Sequence, residues 1–582
     1  MSPYGNRPKE DDLSIIIASN ASLEEKAMLE KFSFFENEGP LDTVNLVKTV
    51  KDKSGNPVSR FFRSFKRARL CDSLALQRKL KSRHIQMIAI GSTIGFGFWL
   101  GTGNSLQKGG SCAVLLNYII VGSIVLTTIF SLGELAANYP VPGGYLSLAG
   151  QFVDQSWCFA MHWSFILGTL VSTPVEIVTS CMCIVYWSNL NGGIWVTVFI
   201  AILALINVFS VRGYGEVEFA LCFIKVVSIV IFIILGIIID CGGIPTDHRG
   251  YIGTSIFTSD TFTHGFRGFC SVFLHATFAY SGAEAIGLTV AEADNPAVTF
   301  PRAVRRTMIR ISLFYIIGVF VLGLLISGKD PRLFDHSKNM VSPFILAIKD
   351  AGIKVMPSML NAVILISVLS AANSNIYAGS RAVHSAAVNG FAPKCFAYVD
   401  RAGRPLVALA LHFLCCGLAY LCESNSNYSI FAWLMAVYGL NTLFSWGTIC
   451  FIHLRLRHAL KSQNVSTKRL SYTSPFGIYG SYYGLVWTML IFLAQLYVAI
   501  APTFGRPSVT HFFQHYLSMP IVMFLFVVHK LCTKSRCVKL KDIDLFLGFN
   551  DTFKPEFNED SEKVVQDEKG FKKKFSKALD LC

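Results

Sequence analysis

The residues of this chain that could do chemistry lie inside its most apolar stretches. GSTIGFGFWLGTG, residues 91–103, holds five glycines, and FAYSGAEAIG, residues 278–287, holds a second glycine-bearing interruption. Opening a helix in an apolar medium exposes main-chain N–H and C=O groups, each costly if left unsatisfied. The opening is tolerable where it faces a cavity and a ligand satisfies those groups. Glycine permits the unusual dihedral angles and lets a ligand approach the backbone. A new half-helix N-terminus offers N–H groups and a positive dipole end to a carboxylate. The carbonyls of the other break suit an ammonium group. Two facing breaks thus form a site for a zwitterion, the backbone of an amino acid. The competing reading is that these glycines allow close helix packing. The second interruption, at a matching position five spans later, favours the site.

Charges inside apolar runs are the second signal. Lys225, in EFALCFIKVVSIVIFIIL, lies about nine residues into its span, roughly 13 Å deep at 1.5 Å per residue. A buried ammonium is expensive and loses its proton more readily, so it could load and release one; snorkelling to the interface is the alternative. Glu284 follows the second break and Glu176 lies within the third span. Both are candidates for proton coupling or gating, and Glu284 could instead contact a substrate side chain or cap the opened backbone. Ser370, Asn373, Ser374 and Tyr377 recur at i, i+3, i+4, i+7 and share one helix face. They are candidates to line a path, with interhelical hydrogen bonding as the other reading. A sodium ion could use those hydroxyls with carbonyls of the first span, but a Lys225 ammonium there would take its place. The expected coupling ion is therefore H+, with no other cofactor and no metal. No nucleotide loop, metal-ligand cluster or nucleophile constellation is visible, so the chain does not read as an enzyme.

The elements that must position these groups are transmembrane helices. The chain has 582 residues, 52% of them hydrophobic, and a net charge of +15. This composition reads as an all-α polytopic membrane protein. The basic residues cluster beside apolar runs and indicate membrane topology rather than nucleic acid. Twelve apolar segments are expected to span, at about 85–104, 113–138, 157–187, 193–210, 216–240, 266–291, 308–328, 357–388, 405–422, 428–455, 482–502 and 513–532. Residues 60–83 carry nine Lys/Arg and one acid just before the first span, which places the N-terminus in the cytoplasm. An even number of spans returns the C-terminus there. Residues 1–84 read as a cytoplasmic N-terminal tail, 85–532 as the transmembrane domain, and 533–582 as a cytoplasmic C-terminal tail. Within the domain, the breaks suggest inverted five-helix repeats over about 85–240 and 266–455, followed by two additional C-terminal helices at 482–532. The sixteen cysteines mostly sit in apolar stretches and are expected as free thiols. A Cys112–Cys241 bridge is the weaker alternative.

The chain resembles the fungal amino-acid permeases of the amino acid–polyamine–organocation (APC) superfamily. The resemblance covers most of residues 80–545 and is carried by RHIQMIAIGSTIGFGFWLGTG, SLGELAANYPVPGG, STPVEIV, FAYSGAEAIGLTVAEADNPAVTFPRAVRRT and AANSNIYAGSRAVHSAAVNGFAPKCFAYVDRAGRPL. It implies a LeuT-like fold, a plasma-membrane location, and import of amino acids driven by protons. It places the substrate carboxylate on Thr93, Ile94, Gly95, Phe96 and Gly97. It places the ammonium on the carbonyls of Phe278, Ala279, Ser281 and Gly282, with the Phe278 ring closing over the substrate. Lys225 then stands against the first break. Relatives usually carry a small hydroxyl residue where this chain has Phe96, and a glycine where it has Ser92. The ring of Phe96 is expected to shrink or reshape the pocket. A nutrient sensor that binds without transporting is the rival function. The resemblance also implies ubiquitin and endocytic machinery as partners of the tails, with turnover through endosome or vacuole. Cys582 is a lipidation candidate, and the basic segment before the first span is expected to meet anionic membrane lipid.

Overall fold

A computed structural model describes residues 82–549, apart from 189, 209–210, 294–295, 334–341, 424–426 and 505. The expectations for the N-terminal tail, for residues 550–582 and for Cys582 lie outside the described residues. Every regular element among the described residues is a helix. The first apolar segment is broken into α1 (Ser82–Thr93), α2 (Phe96–Trp99) and α3 (Gly101–Gly109). There follow α4 (Ser111–Asn138), α5 (Tyr145–Phe152), α6 (Gln155–Ile184), α7 (Gly192–Val208) and α8 (Val211–Asp240). A short loop helix, α9 (Ser255–Ser259), precedes α10 (Gly265–Tyr280), which runs into a 3-10 helix, Ala283–Glu292. The second half contains α11 (Pro296–Leu325), α12 (Pro343–Asp350), α13 (Met356–Val388), α14 (Leu406–Cys416), α15 (Asn427–Tyr438) and α16 (Asn441–Ser462). It closes with α17 (Gly477–Ile500), α18 (Val509–Tyr516) and α19 (Ser518–Thr533).

Among the described residues, seven helices are long and apolar enough to cross a membrane, and the bent pair α18–α19 makes up to an eighth. Length and composition therefore count fewer crossings than the twelve segments read from the sequence. The other four segments fall on the broken α1–α3, on the 17-residue α7, on α10 with its 3-10 helix, and on α14 with the 3-10 helix behind it. A break or a short helix cuts the continuous run that a single crossing requires. The outward faces of α8 (Phe223, Ile231, Ile234) and α17 (Val486, Leu490, Leu493) expose rows of large apolar side chains. In water such rows would drive aggregation; in a bilayer they face lipid.

Local chemistry sets the helix ends. Asp154 caps α6 by accepting the Ser156 N–H at 2.7 Å. Pro343 and Pro357 start α12 and α13, where a missing N–H costs nothing. Gly110 turns the chain between α3 and α4 at φ 84°, and a Cβ there would meet the Asp260 carbonyl oxygen at 2.3 Å. Around the broken segments the core is aromatic: Phe98 stacks on Tyr315 at 4.4 Å and Tyr280 tilts against the same ring at 4.8 Å.

Residues 534–549, which the sequence assigns to the C-terminal tail, pack on the ends of α4, α6 and α16. Tyr139 donates to the Leu545 carbonyl at 2.9 Å, Gln463 Nε2 to that of Ile543 at 2.8 Å, and the Val538 N–H to that of Val153 at 2.9 Å. Cys112 and Cys241 are both free thiols.

Candidate functional site

The two openings of the main chain lie at Ile94–Gly95 and at Ser281–Gly282. They cross in direct contact. A Cβ on Gly97 would meet the Ala279 Cα at 2.8 Å and the Phe278 ring at 2.8 Å. Close packing thus accounts for Gly97, whereas Gly95 sits at the opening itself as the residue before α2. Gly282 is in the left-handed region, φ 92°, where any side chain is strained.

The groups freed by these openings find partners within the protein. The Tyr315 hydroxyl, from α11, stands 2.9 Å from the Thr93 carbonyl oxygen and 3.1 Å from that of Ala279. One phenol thereby serves the ends of both broken helices. Ser92 donates to the Gly282 carbonyl at 3.0 Å. The Phe96 N–H donates to the carboxylate of Glu176 on α6. Glu176 Oε2 is buried and has no hydrogen-bond partner among the described residues. Glu284 Oε1 accepts the Gly282 N–H at 3.3 Å and its Oε2 accepts the Trp446 indole N–H at 3.1 Å. Glu284 therefore caps the opened backbone of the second break.

The aromatic side chains close over this crossing. Phe96 meets Phe278 edge to face at 5.8 Å, and Phe278 meets Tyr438 at 5.1 Å. The hydroxyls of Ser281 and Tyr438 are hydrogen-bonded to each other. Beside the second break lies a cavity of about 20 Å³, lined among others by Thr169, Gly282, Glu284, Tyr438 and Asn441. That is room for about one water molecule.

Lys225 is fully buried on α8 and donates from Nζ to the Gly91 carbonyl at 2.8 Å. It does not snorkel. Glu218 and Glu176 are the carboxylates that bear on it. Ser370, Asn373 and Ser374 form one face of α13, as their spacing requires, and that face meets Glu218 rather than the crossing of the two breaks. Ser370 donates to Glu218 Oε1 at 2.5 Å, Ser374 to the same oxygen at 3.3 Å, and Asn373 to Oε2 at 3.3 Å. Tyr377, one turn further, donates to Glu292.

Comparison with known proteins gives the family of the chain. The amino acid permease family model matches residues 84–542. An uncharacterised amino-acid permease of the fission yeast Schizosaccharomyces pombe is 50% identical over 518 residues, 88% of each chain. The chain belongs to the amino acid permease family. Cationic amino acid transporter 1 of the same yeast is 43% identical, over 98% of this chain and 97% of its own. Amino acid transporter 1, also of that yeast, is 43% identical over 85% and 87%. The permease is thus a multi-pass membrane transporter of amino acids and not an enzyme.

Sequence reasoning missed four residues that shape this permease's interior. Tyr315 carries no signal, because a tyrosine in an apolar run reads as core. Glu218 sits seven residues before Lys225 and was visible only as a charge near the start of a span. Glu292 and Arg381 form a buried ion pair, Nε to Oε1 at 2.9 Å, joining the 3-10 helix to α13. The Arg381 guanidinium also lies 3.4 Å from the Tyr377 ring centroid. A pair so distant in sequence leaves no local spacing to read. Glu134, by contrast, was legible in the sequence as a structural contact near the end of the second span; it accepts from Arg457 at 2.6 Å and from the Ser474 N–H at 2.6 Å, which ties α4 to α16.

Proposed function

We propose that this permease is a proton-coupled amino-acid importer of the plasma membrane, with both termini in the cytoplasm, working by alternating access. The observation that carries the reading is the Lys225–Gly91 hydrogen bond. A fully buried ammonium holds α1 by a main-chain carbonyl three residues before the break. Gaining or losing one proton there changes how firmly α1 is held. The substrate carboxylate goes to the N–H groups following Gly95, and its ammonium to carbonyls of residues 278–282. Glu176 competes with the substrate carboxylate for the Phe96 N–H. A protonated Glu176 releases that N–H, which makes substrate binding and proton binding favour one another. Phe96 and Phe278, edge to face across the breaks, form the lid of the site.

The test is uptake of labelled amino acids by cells lacking their own permeases, titrated against external pH and repeated with the proton gradient collapsed. Uptake should rise with the gradient. Lys225→Ala should reduce gradient-driven uptake more than it weakens substrate binding; a Lys225→Ala pH profile identical to the parent's would refute the coupling role. A sensor that binds without transporting is the second reading. It is favoured by the Phe96–Phe278 contact, which fills space that a small hydroxyl residue would leave open. Binding with no uptake at any pH would establish it.

A further inference from the structure

The Lys225 contact with α1 has a second side. A Cβ placed on Gly91 would overlap Glu218 Oε1 at 1.9 Å and Cys222 Sγ at 2.6 Å. Gly91 therefore has its bare Cα against a carboxylate, while its carbonyl accepts from an ammonium. Both groups stand on α8, seven residues and about two turns apart, on the same side of that helix. Glu218 and Lys225 together grip one residue of α1.

The carboxylate is fully buried and is held from α13, not from solvent. Besides the Ser370, Ser374 and Asn373 donors, there is an outer layer behind them. Asn207 Nδ2 donates to Asn373 Oδ1 at 2.8 Å, which turns the Asn373 amide so that its Nδ2 faces Glu218. The Tyr214 hydroxyl donates to Ser374 at 3.4 Å. Donation runs inward along both routes and ends on Glu218, an arrangement suited to an anion. Around this point the titratable groups are Tyr214, Cys222 and Lys225 on α8, Glu176 on α6, and, beside Tyr214, Tyr377 and the charged Arg381 on α13. Gly91 on α1 and the α13 donors bring no titratable group of their own.

We propose that Glu218 is a positioning residue for coupling: anchored by α13, it sets the acidity at which Lys225 releases its hold on α1. An anion fixed near an ammonium favours the charged form, and with it the hydrogen bond to Gly91. The inference rests on the proton-coupled reading above. It adds a role for α13, since the hydroxyls there act on α1 through Glu218 and Lys225 rather than through the substrate. A purely structural tie between α8 and α13 would affect stability and abundance but would leave the pH dependence of uptake where it was.

The experiment measures labelled amino-acid uptake against external pH, normalised to protein in the membrane, for the parent, Glu218→Gln and Glu218→Asp. Glutamine keeps an oxygen for the two serines but removes the charge. The external pH of half-maximal uptake is expected to move down by about one unit in Glu218→Gln, because Lys225 then loses its proton at lower pH. Glu218→Asp should stay near the parent midpoint at a lower rate. A parent profile that responds to pH, with the same midpoint in Glu218→Gln, overturns the proposal and leaves proton coupling standing. A parent whose uptake ignores both pH and the proton gradient instead removes the underlying reading. If Glu218→Gln does not reach the membrane, the Ser370→Ala, Ser374→Ala double variant takes its place. Stripped of two donors, the carboxylate is held less firmly beside Lys225, and a smaller shift in the same direction is expected. An unmoved midpoint there overturns the proposal equally.

Discussion

Ser92, one residue before the end of α1, donates its hydroxyl to the carbonyl of Gly282 at 3.0 Å. The bond joins the two opened stretches of main chain directly.

This contact leaves no room for a side chain at residue 282. A Cβ there would meet the Ser92 carbonyl oxygen at 2.5 Å, and φ is 92°. A non-glycine residue in the left-handed region costs about 1–2 kcal/mol, and overlap with backbone adds to that. Gly282→Ala should lower the thermal midpoint in detergent and abolish uptake even where the protein reaches the membrane. Parent-like stability and uptake in Gly282→Ala would show that the second break is not held as described.

The openings themselves were legible in the sequence because glycine inside an apolar run conflicts with helix formation, and that conflict is local. Lys225 was legible for a similar reason, since a charge in EFALCFIKVV has to be explained. Capping was one of three readings open for Glu284, and its carboxylate accepts from the Gly282 N–H and the Trp446 indole. What could not be read was pairing across the fold. Glu218 finds its donors about 150 residues away on α13, at separations of 152, 155 and 156. Tyr315 reaches Thr93 across 222 residues. The helical periodicity put Ser370, Asn373 and Ser374 on one face correctly; only the tertiary packing says which helix that face meets.

Phe96 offers a prediction about substrate range. Its ring is buried and meets Phe278 edge to face at 5.8 Å. Threonine at this position removes most of that volume next to the crossing of the breaks, while the main-chain N–H that Glu176 uses is retained. Phe96→Thr should broaden the set of amino acids that compete for labelled uptake, with larger side chains gaining most. The cost in stability should be about 3–5 kcal/mol, since lost aromatic packing is the main term. Identical competition profiles for variant and parent would remove Phe96 from the pocket.

Asp154 predicts an acid-side loss of stability. Burial pushes its carboxyl up, but hydrogen bonds from Lys530, Ser535 and the Ser156 N–H outweigh this and hold it below its ordinary 3.8. The Lys530 and Ser535 contacts, at 2.6 and 2.5 Å, tie the start of α6 to the end of α19. A group whose acidity is strengthened by folding contributes stability above its unfolded value and loses that contribution as pH falls through the folded one. Asp154→Ala should therefore lower the melting midpoint at neutral pH, with loss of the cap alone costing about 1 kcal/mol. The gap between parent and variant should narrow as pH drops below 3.8. A gap that stays constant down to the acid limit would mean that the carboxylate charge is not what joins α6 to α19.

Glu292 and Arg381 predict an order of effects that separates a buried pair from its surroundings. Both side chains are nearly or wholly buried, at 0% and 6% exposure. Tyr377 bonds to the same carboxylate, and its ring lies against the guanidinium. Arg381→Ala leaves an uncompensated carboxylate inside the protein and should cost about 3–5 kcal/mol. Tyr377→Phe keeps the ring under the guanidinium and removes one charge-assisted hydrogen bond, for a cost of about 1.5–3 kcal/mol. Arg381→Met combined with Glu292→Met removes both charges and fills the space, so it should be milder than Arg381→Ala. Unfolding of the purified permease in detergent gives the ranking. If the double methionine variant is as unstable as Arg381→Ala, the pair is not acting as two compensating charges. The network would then be held by its geometry, with the planar guanidinium, the carboxylate and the Tyr377 ring fitting as one shape that methionine cannot reproduce.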